Sequence, residues 1–457
     1  MESHAQATED YLIDGLSFKL APGASYVTNR RSVSFYPQGG NSYSASGVKV
    51  IRIALTGEGW LDPSTLRVMY DLNNVTTNSS ALEFKELRPI GGPWSFFRRM
   101  RLMAGGTIIE DIDNYARTHQ MFHTLVAPSK RHNDLIEGFG QEGDILRNRG
   151  AHPDGLPIYN ALSYHGIAKG KAMSVLFKPL SGMFAQQKYI PLRYCPLILE
   201  FEVVNDPNEP VVYSTVASAT GQEPFTIANC SNEWMISQVQ IKCDLVTLDN
   251  ELENEYAEHL MRGNSLPLNY DTYISQMQTI SDYTYSCNIT RSLTRLKSVF
   301  VNFDGVSLTE GQPGTEMRKT FNDFFHPSGD YTTQTQDKEI EFQIQIGSKL
   351  YPENSIRSVQ EAFSQLAKCL GINNSAFHGV DIIPLEYRSH KFIIGIDTEK
   401  ILEAGFTGIN TKAGDLMVIK VKQASGIPQA NICNKMYITL HSDQILNIRD
   451  TGVEVFD

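Results

Sequence analysis

The chain has 457 residues, with 51 Asp and Glu against 40 Lys and Arg, a formal balance of −11. Hydrophobic residues at 41% and charged residues at 20% exclude a disordered chain and leave room for two or three domains, or two large β units. The acid excess argues against a protein that coats nucleic acid over its whole surface, because phosphate binding needs clustered Lys and Arg.

Residues Met1–Asp10 are acidic and polar, and no basic region followed by an apolar run marks a secretory signal. The polar, weakly periodic stretch 1–31 reads as an N-terminal arm. From there period-2 alternation dominates. Short apolar runs at Val48–Leu55, Leu66–Tyr70, Met100–Met103 and Ser174–Phe177 lead to Leu199, Phe201 and Val203, which alternate with Glu200 and Glu202. Val239, Ile241, Cys243 and Leu245 alternate with Gln240, Lys242 and Asp244, and Val299–Phe303 follows. Ile340, Phe342, Ile344 and Ile346 alternate with Glu341, Gln343 and Gln345. Ile419 and Val421 alternate with Lys420 and Lys422 before a last run, Met436–Leu440. Each pattern places one apolar face on a core and one polar face outward, as in antiparallel sheets. Many short strands between Gly, Pro, Asn and Asp loops point to sandwiches rather than βαβ units. The aromatic content, 22 Phe and 20 Tyr against 3 Trp, leans the same way.

Helical spacing is sparse. Ile112, Tyr115, His119, Phe122 and Val126 predict one helix, and an acidic second covers Asp249 to Met261. A third is predicted from Pro352 onward on Ile356, Val359, Phe363, Leu366 and Leu370, with Pro352 and Ser355 suited to its start. No stretch reaches the roughly 18 apolar residues that a membrane span requires.

With Gly106 laid on Gly347, the unit Met100–Leu125 matches Glu341–Leu366 at an offset of 241 (347 − 106). Gly166-Ile167 then meets Gly408-Ile409 at offset 242 (408 − 166). Gly170, Met173 and Lys178 meet Gly414, Met417 and Lys422 at offset 244 (414 − 170), and Cys195 meets Cys433 at 238 (433 − 195). Four collinear blocks describe a tandem of two related β units. The seam is expected in Asn205–Asn232, with a first unit over 32–220 and a second over 221–457.

Motifs that carry chemistry are weak. Gly138-Phe-Gly140-Gln-Glu-Gly143 spells GxGxxG, but Glu137, Glu142 and Asp144 repel a pyrophosphate and no buried strand precedes it. His119 and His123 share a helical face, yet Gln120 stands where a zinc hydrolase needs Glu, and no third ligand follows. Carboxylate pairs at Asp111/Asp113, Glu251/Glu253 and Glu339/Glu341 are what an acidic chain yields by chance. Six widely spaced cysteines without CxxC read as reduced core thiols, and five sequons (Asn74, Asn78, Asn229, Asn288, Asn373) as chance. The residues therefore name no catalytic site, cofactor or metal. Arg98, Arg99 and Arg101, with Lys130-Arg131 and Arg147/Arg149, form the one basic concentration, read as a contact with the acidic surface of a neighbouring copy.

The run Gly92-Pro-Trp-Ser-Phe-Phe-Arg-Arg-Met-Arg-Leu-Met-Ala-Gly-Gly-Thr-Ile-Ile-Glu110, continuing into Asp113-Asn-Tyr115 and a helix, resembles double jelly-roll major capsid proteins. The likeness is to those of small eukaryotic DNA viruses of the Polinton-like and adintovirus kind. Lys178-Pro-Leu-Ser-Gly182, Gln187–Tyr194, Leu197–Val204 and Phe342–Leu370 extend it. The resemblance implies an all-β fold of two tandem eight-stranded antiparallel jelly-roll sandwiches with a few short helices in loops. It implies a virion protein assembled inside the host cell, whose homotrimers form pseudo-hexameric capsomers that tile an icosahedral shell. Its partners would be itself, then penton and minor capsid proteins, with no recognition of a specific nucleic-acid sequence. Trp94, Phe96, Phe97, Arg98 and Arg99 would supply inter-subunit contact, the reading opposed to a strand edge packed in its own core. The alternative is a two-sandwich carbohydrate-binding or glycan-hydrolysing protein, with Trp60 or Trp234 exposed to stack on sugars.

Overall fold

Alternating residues become sheet only where their apolar sides find a second layer, and here they find it twice. The computed structural model describes residues 26–77, 87–89, 91–127, 130–131, 138, 166–211, 231–304, 324–327, 340–372, 379–389, 391–399, 407–412, 416–423, 433 and 435–457. The first ten strands are β1 (Val27–Phe35), β2 (Ser42–Tyr43), β3 (Val50–Leu55), β4 (Trp60–Asn74), β5 (Phe97–Ala104), β6 (Thr107–Ile112), β7 (Ala172–Phe177), β8 (Ile190–Pro191), β9 (Leu197–Val203) and β10 (Trp234–Leu248). They form one sheet in the order β1-β10-β4-β7, with β2 on β10 and β8 on β4, and a second in the order β3-β9-β5-β6. The helix α1 (Tyr115–Leu125) leaves β6.

After helix α2 (Asn250–Met261) the plan repeats. Strands β11 (Leu266–Thr279), β12 (Thr284–Ile289), β13 (Leu296–Phe303), β14 (Ile340–Ile346) and β15 (Lys349–Ile356) precede helices α3 (Val359–Cys369) and α4 (Pro384–Ser389). Strands β16 (Ile393–Asp397), β17 (Met417–Gln423), β18 (Lys435–Arg449) and β19 (Gly452–Phe456) complete the chain. The sheets run β11-β18-β13-β16, with β19 on β18, and β12-β17-β14-β15. All ladders between named strands are antiparallel. Apart from the short β2 and β8 and the terminal β19, each half is thus an eight-stranded jelly roll with the same strand order.

Shared topology corrects the repeat in the sequence. The β5–β6 and β14–β15 turns are equivalent, with Gly105 at φ 55° and Gly347 at φ 59°, so the true offset there is 242 (347 − 105). The counterpart of β9 is β17 and that of β10 is β18, at offsets near 220 (417 − 197) and 201 (435 − 234). Gly170, Met173 and Lys178 belong with β7, whose counterpart is β16, and Cys195 precedes β9 whereas Cys433 precedes β18. Gly166-Ile167 precede β7 whereas Gly408-Ile409 follow its counterpart β16, so three of the four matched blocks pair non-equivalent positions. Loop lengths differ between the halves, and a constant offset cannot survive that.

The unit boundary shifts as well. The expected break between 220 and 221 lies outside the described residues, but β10 beyond it hydrogen-bonds to β1 and β4. Sheet pairing thus carries the first sandwich to Leu248, and Val27–Arg31 of the expected arm already lie in β1. The third helix starts later than its spacing predicts, because Lys349–Ile356 pair with β14 as an edge strand. Pro352 is tolerated there, where a missing N–H need not join a ladder. The helix opens at Ser358, whose Oγ accepts the Glu361 N–H at 3.2 Å, while the Glu361 carboxylate accepts the Arg357 N–H at 2.6 Å.

Two apolar cores lie between the sheets, and each borrows from the other half. Leu268, Tyr270, Leu446 and Ile448 of the second sandwich pack into the first core. Met121 of α1 packs into the second. At this seam the chains approach so closely that a Cβ on Gly182 would stand 1.5 Å from the Asp271 carbonyl oxygen. Gly182→Ala is expected to lower unfolding stability by about 3 kcal/mol, as overpacking does. Chemical denaturation with a fluorescence readout measures that loss.

Candidate functional site

Among the described residues no group of three or more His, Cys, Asp or Glu side chains stands close enough to hold a metal ion. Of the GxGxxG run only Gly138 is described, and Glu339, Cys230, Arg147, Arg149 and the sequons at Asn78, Asn229 and Asn373 lie outside the described residues. Asp111 receives Arg99 through Nε at 2.7 Å and Nη2 at 2.5 Å, and Glu341 lies 3.5 Å from Lys422. These carboxylates balance cross-strand cations. Among the described residues, the polar chemistry gathers instead at the seam between the sandwiches.

Helix α1 carries that seam. Its polar face turns into the second sandwich, where Arg117 is buried. The Arg117 Nε donates to Asn302 Oδ1 and its Nη2 to the Phe303 carbonyl, both at 2.7 Å. The guanidinium also lies 4.5 Å from the Tyr437 ring centre and 5.0 Å from that of Phe324. The opposite side of α1 faces the first sandwich, where His119 stacks on Trp94 with ring centres 4.0 Å apart. Trp94 Nε1 donates to Gln120 Oε1 at 2.9 Å. His119 Nε2 lies 3.1 Å from the Lys178 carbonyl, which makes Nε2 the protonated nitrogen. Burial drives His119 down to about 3 and His123 to about 4, so both rings are neutral at neutral pH. They are packing groups beside a cavity of about 410 Å³ lined by Trp94, His119, Phe122, His123, Phe177 and Tyr273.

Further along the seam, Glu110 of β6 is buried and accepts the Gly182 N–H at 2.8 Å and the Ser181 hydroxyl. Burial outweighs these bonds and lifts its carboxyl to about 7. Tyr270 Oη bridges the sandwiches, lying 3.1 Å from the Ile109 carbonyl and 2.8 Å from Gln444 Oε1. Lys297 Nζ stands 3.1 Å from Asp271 and 3.4 Å from Asp443. Burial pushes Asp271 upward, but His441, Asp443 and Lys297 outweigh it and hold the carboxyl well below the usual range.

The five residues expected to contact a neighbouring subunit divide. Trp94, Phe96 and Phe97 are buried inside the first core, and Phe97 stacks among Tyr70, Phe177 and Phe201. Their rings are thus occupied within the chain, and the core reading of this cluster is the one the packing carries. Arg98 and Arg99 remain on the outer face, where Arg98 meets Glu202 at 3.3 Å and Arg99 meets Asp111. Arg101 likewise pairs with Glu200, and Arg131 with Asp381 at 2.7 Å. Arg98, Arg99, Arg101 and Arg131 of the basic concentration therefore already have acidic partners in the same chain. Sequence reasoning missed Arg117, Glu110, Gly182 and Tyr270. In a linear reading Arg117 is one more polar residue on the solvent side of an amphipathic helix.

The geometry sets the comparison with known proteins. No protein-family model matches the chain, and no curated protein sequence matches it. Solved structures do. VP54 of the virus PBCV-1, fitted into a reconstruction of the virophage Sputnik, superposes with a TM-score of 0.62 at 11% identity, over 96% of this chain and 99% of that one. The Sputnik virophage structure gives 0.63 at 10% identity, over 98% and 92%. The Faustovirus major capsid protein gives 0.54 at 9% identity, over 96% and 94%. The fold is a double jelly roll. Identity this low carries architecture and no residue role.

Within this double jelly roll, Arg117→Ala is expected to cost about 3 to 5 kcal/mol, because Asn302 and the Phe303 carbonyl lose a buried partner. Arg117→Lys recovers only part, lacking the planar fork; thermal unfolding ranks the three proteins. The seam also sets a pH window. The neutral histidines stabilise the fold above their ordinary pKa of 6.5, and that contribution is lost as the pH falls toward 4. Glu110 acts oppositely: its raised pKa favours the fold below 4.5, and the contribution is lost as the pH rises through about 7. The melting temperature of Glu110→Gln should therefore gain on that of the wild type as the pH rises from 5 to 8, whereas a difference that stays constant over that range would exclude Glu110 as a source of the pH dependence.

Proposed function

We propose that the chain is a viral major capsid protein. The observation that carries this is end-to-end likeness: both jelly rolls and the join between them superpose on capsid proteins over nearly the full length of each. A protein built to tile needs broad faces and a rigid body, and the shared cores and close seam supply the rigidity. In this reading three copies associate into a capsomer of near-hexagonal outline, and capsomers tile an icosahedral shell around the genome. The product is a virion component that performs no catalytic step, with penton and minor capsid proteins as further partners. The residues Gly92–Glu110 support kinship with the Polinton-like and adintovirus group. We divide the chain into a segment before β1, a first jelly roll ending with β10, and a second beginning at β11, with α2 as the connection.

The carbohydrate reading loses its anchors. Trp60, Trp94 and Trp234 are 8%, 3% and 4% exposed, so none presents a face on which a sugar ring can stack. Purified protein is expected to sediment at three times the 51.2 kDa chain mass, or as larger shells, with hexagonal outlines in negative stain. A stable monomer at micromolar concentration that binds a glycan array would overturn the capsid reading.

A further inference from the structure

The cavity at the seam is larger than close packing leaves by chance. Its volume of about 410 Å³ is in the range of sites that hold a small organic molecule, whereas packed interiors leave few voids larger than a water. Both sandwiches build its apolar wall, Trp94, Phe122 and Phe177 from the first and Tyr273 and Leu370 from the second. The rings in that wall already pack on one another or on core neighbours. Trp94 stacks on His119, Phe177 stacks on Phe97 at 5.9 Å, and Phe122 leans on Tyr273 with ring centres 4.7 Å apart. Rings engaged in this way have little face left for a planar ligand, and a flexible alkyl chain fits irregular apolar walls better. The charge on the walls is of one sign. Arg67, Lys130 and Lys178 line the cavity, and among the described residues no Asp or Glu does. Arg67 and Lys178 come together because β4 and β7 pair as far as Val68 and Phe177, and each lies one residue beyond that pair. The Arg67 Nη1 donates to the Ser64 and Leu66 carbonyls at 3.2 and 3.1 Å, which steadies the guanidinium. Lys130 is exposed just past α1, and its charge adds to burial in depressing both His119 and His123. The histidines are therefore neutral, and the cations set the field of the cavity.

We infer that the seam cavity binds a single-chain fatty acid, with its alkyl chain between the sandwiches and its carboxylate at Arg67, Lys130 and Lys178. Exposed Lys130 and Ala185 both line the cavity and so mark its mouth. There a carboxylate can accept charge-assisted hydrogen bonds from guanidinium and ammonium groups, while the chain leaves water for apolar wall. A ligand that touches both halves binds only the folded block and stabilises it by mass action. The site lies within one chain, so the inference does not depend on the capsid reading.

Dodecanoate, kept below the concentration at which it forms micelles, probes the site in the full chain. Calorimetry should show saturable binding, and the melting temperature should rise with ligand concentration. Dodecanol and dodecyltrimethylammonium carry the same chain on a neutral and a cationic head, and both should bind at least about tenfold more weakly. Lys130→Glu, at an exposed position, should weaken dodecanoate by about tenfold. Ala185→Trp, also exposed, should block the mouth and abolish binding while the unliganded protein melts near the wild type. Equal affinity for the three head groups would overturn the carboxylate assignment. Dodecanoate binding undiminished by Lys130→Glu and by Ala185→Trp would move the ligand elsewhere and overturn the site. A wild type that shows neither saturable binding nor stabilisation would overturn the inference as a whole and leave the capsid reading standing.

Discussion

A buried guanidinium has to be satisfied, and the way Arg117 is satisfied holds the molecule together. The residue grows from a helix of the first jelly roll, yet among the described residues it bonds to Asn302 and Phe303 and lies over the rings of Phe324 and Tyr437, all in the second. A charge taken out of water tolerates little displacement, because any movement leaves it without partners in a medium of low dielectric. The two sandwiches are thereby pinned in one relative position. Around that pin, the Gly182–Asp271 approach and the Tyr270 bridge leave no room for sliding. Two domains that could in principle swing on a linker behave as one block.

Rigidity of this kind suits the capsid role proposed above. Domains joined by small polar interfaces move by default, and a shell of moving tiles would not keep its lattice. The electrostatics agree. One sheet of the first sandwich carries charges of both signs, with Arg99 and Arg101 on β5 facing Glu202 and Glu200 on β9, and Asp111 on β6. Among the described residues these charges are balanced across strands, and the shell wall proposed above, assembled from protein–protein contacts, needs no broad basic field. The acid excess weighs against coating a genome and is neutral toward enclosing one.

Much of the fold was legible in the residues. Ile340–Ile346 and Val239–Leu245 reveal their strands because a period of two has one physical meaning at a sheet face. Tyr115–Leu125 shows as a helix for the corresponding reason at a period of 3.6. The turn glycines mark the one repeated block that is real, since the left-handed backbone at Gly105 and Gly347 selects glycine in both halves. Elsewhere the repeat misled. Offsets near 220 and 201 replace the expected 244 and 238, because insertions between strands change spacing without changing topology.

The candidate site was less legible. Trp94, Phe96 and Phe97 have the composition of an interface hot spot, but composition does not distinguish a ring buried against a neighbour from one buried in its own core. Arg117 gave no linear signal at all, since its partners Asn302 and Phe303 lie nearly two hundred residues away. The sequence by itself determined two β-rich halves, three helices, an acidic balance and the absence of a recognisable catalytic motif. Those are local quantities, set by periodicity and residue chemistry along the chain. Which strands are equivalent, where the first unit ends and which aromatic residues face inward were decided only by tertiary structure. They depend on contacts between residues far apart in sequence, and no local pattern encodes which distant surface a side chain will meet.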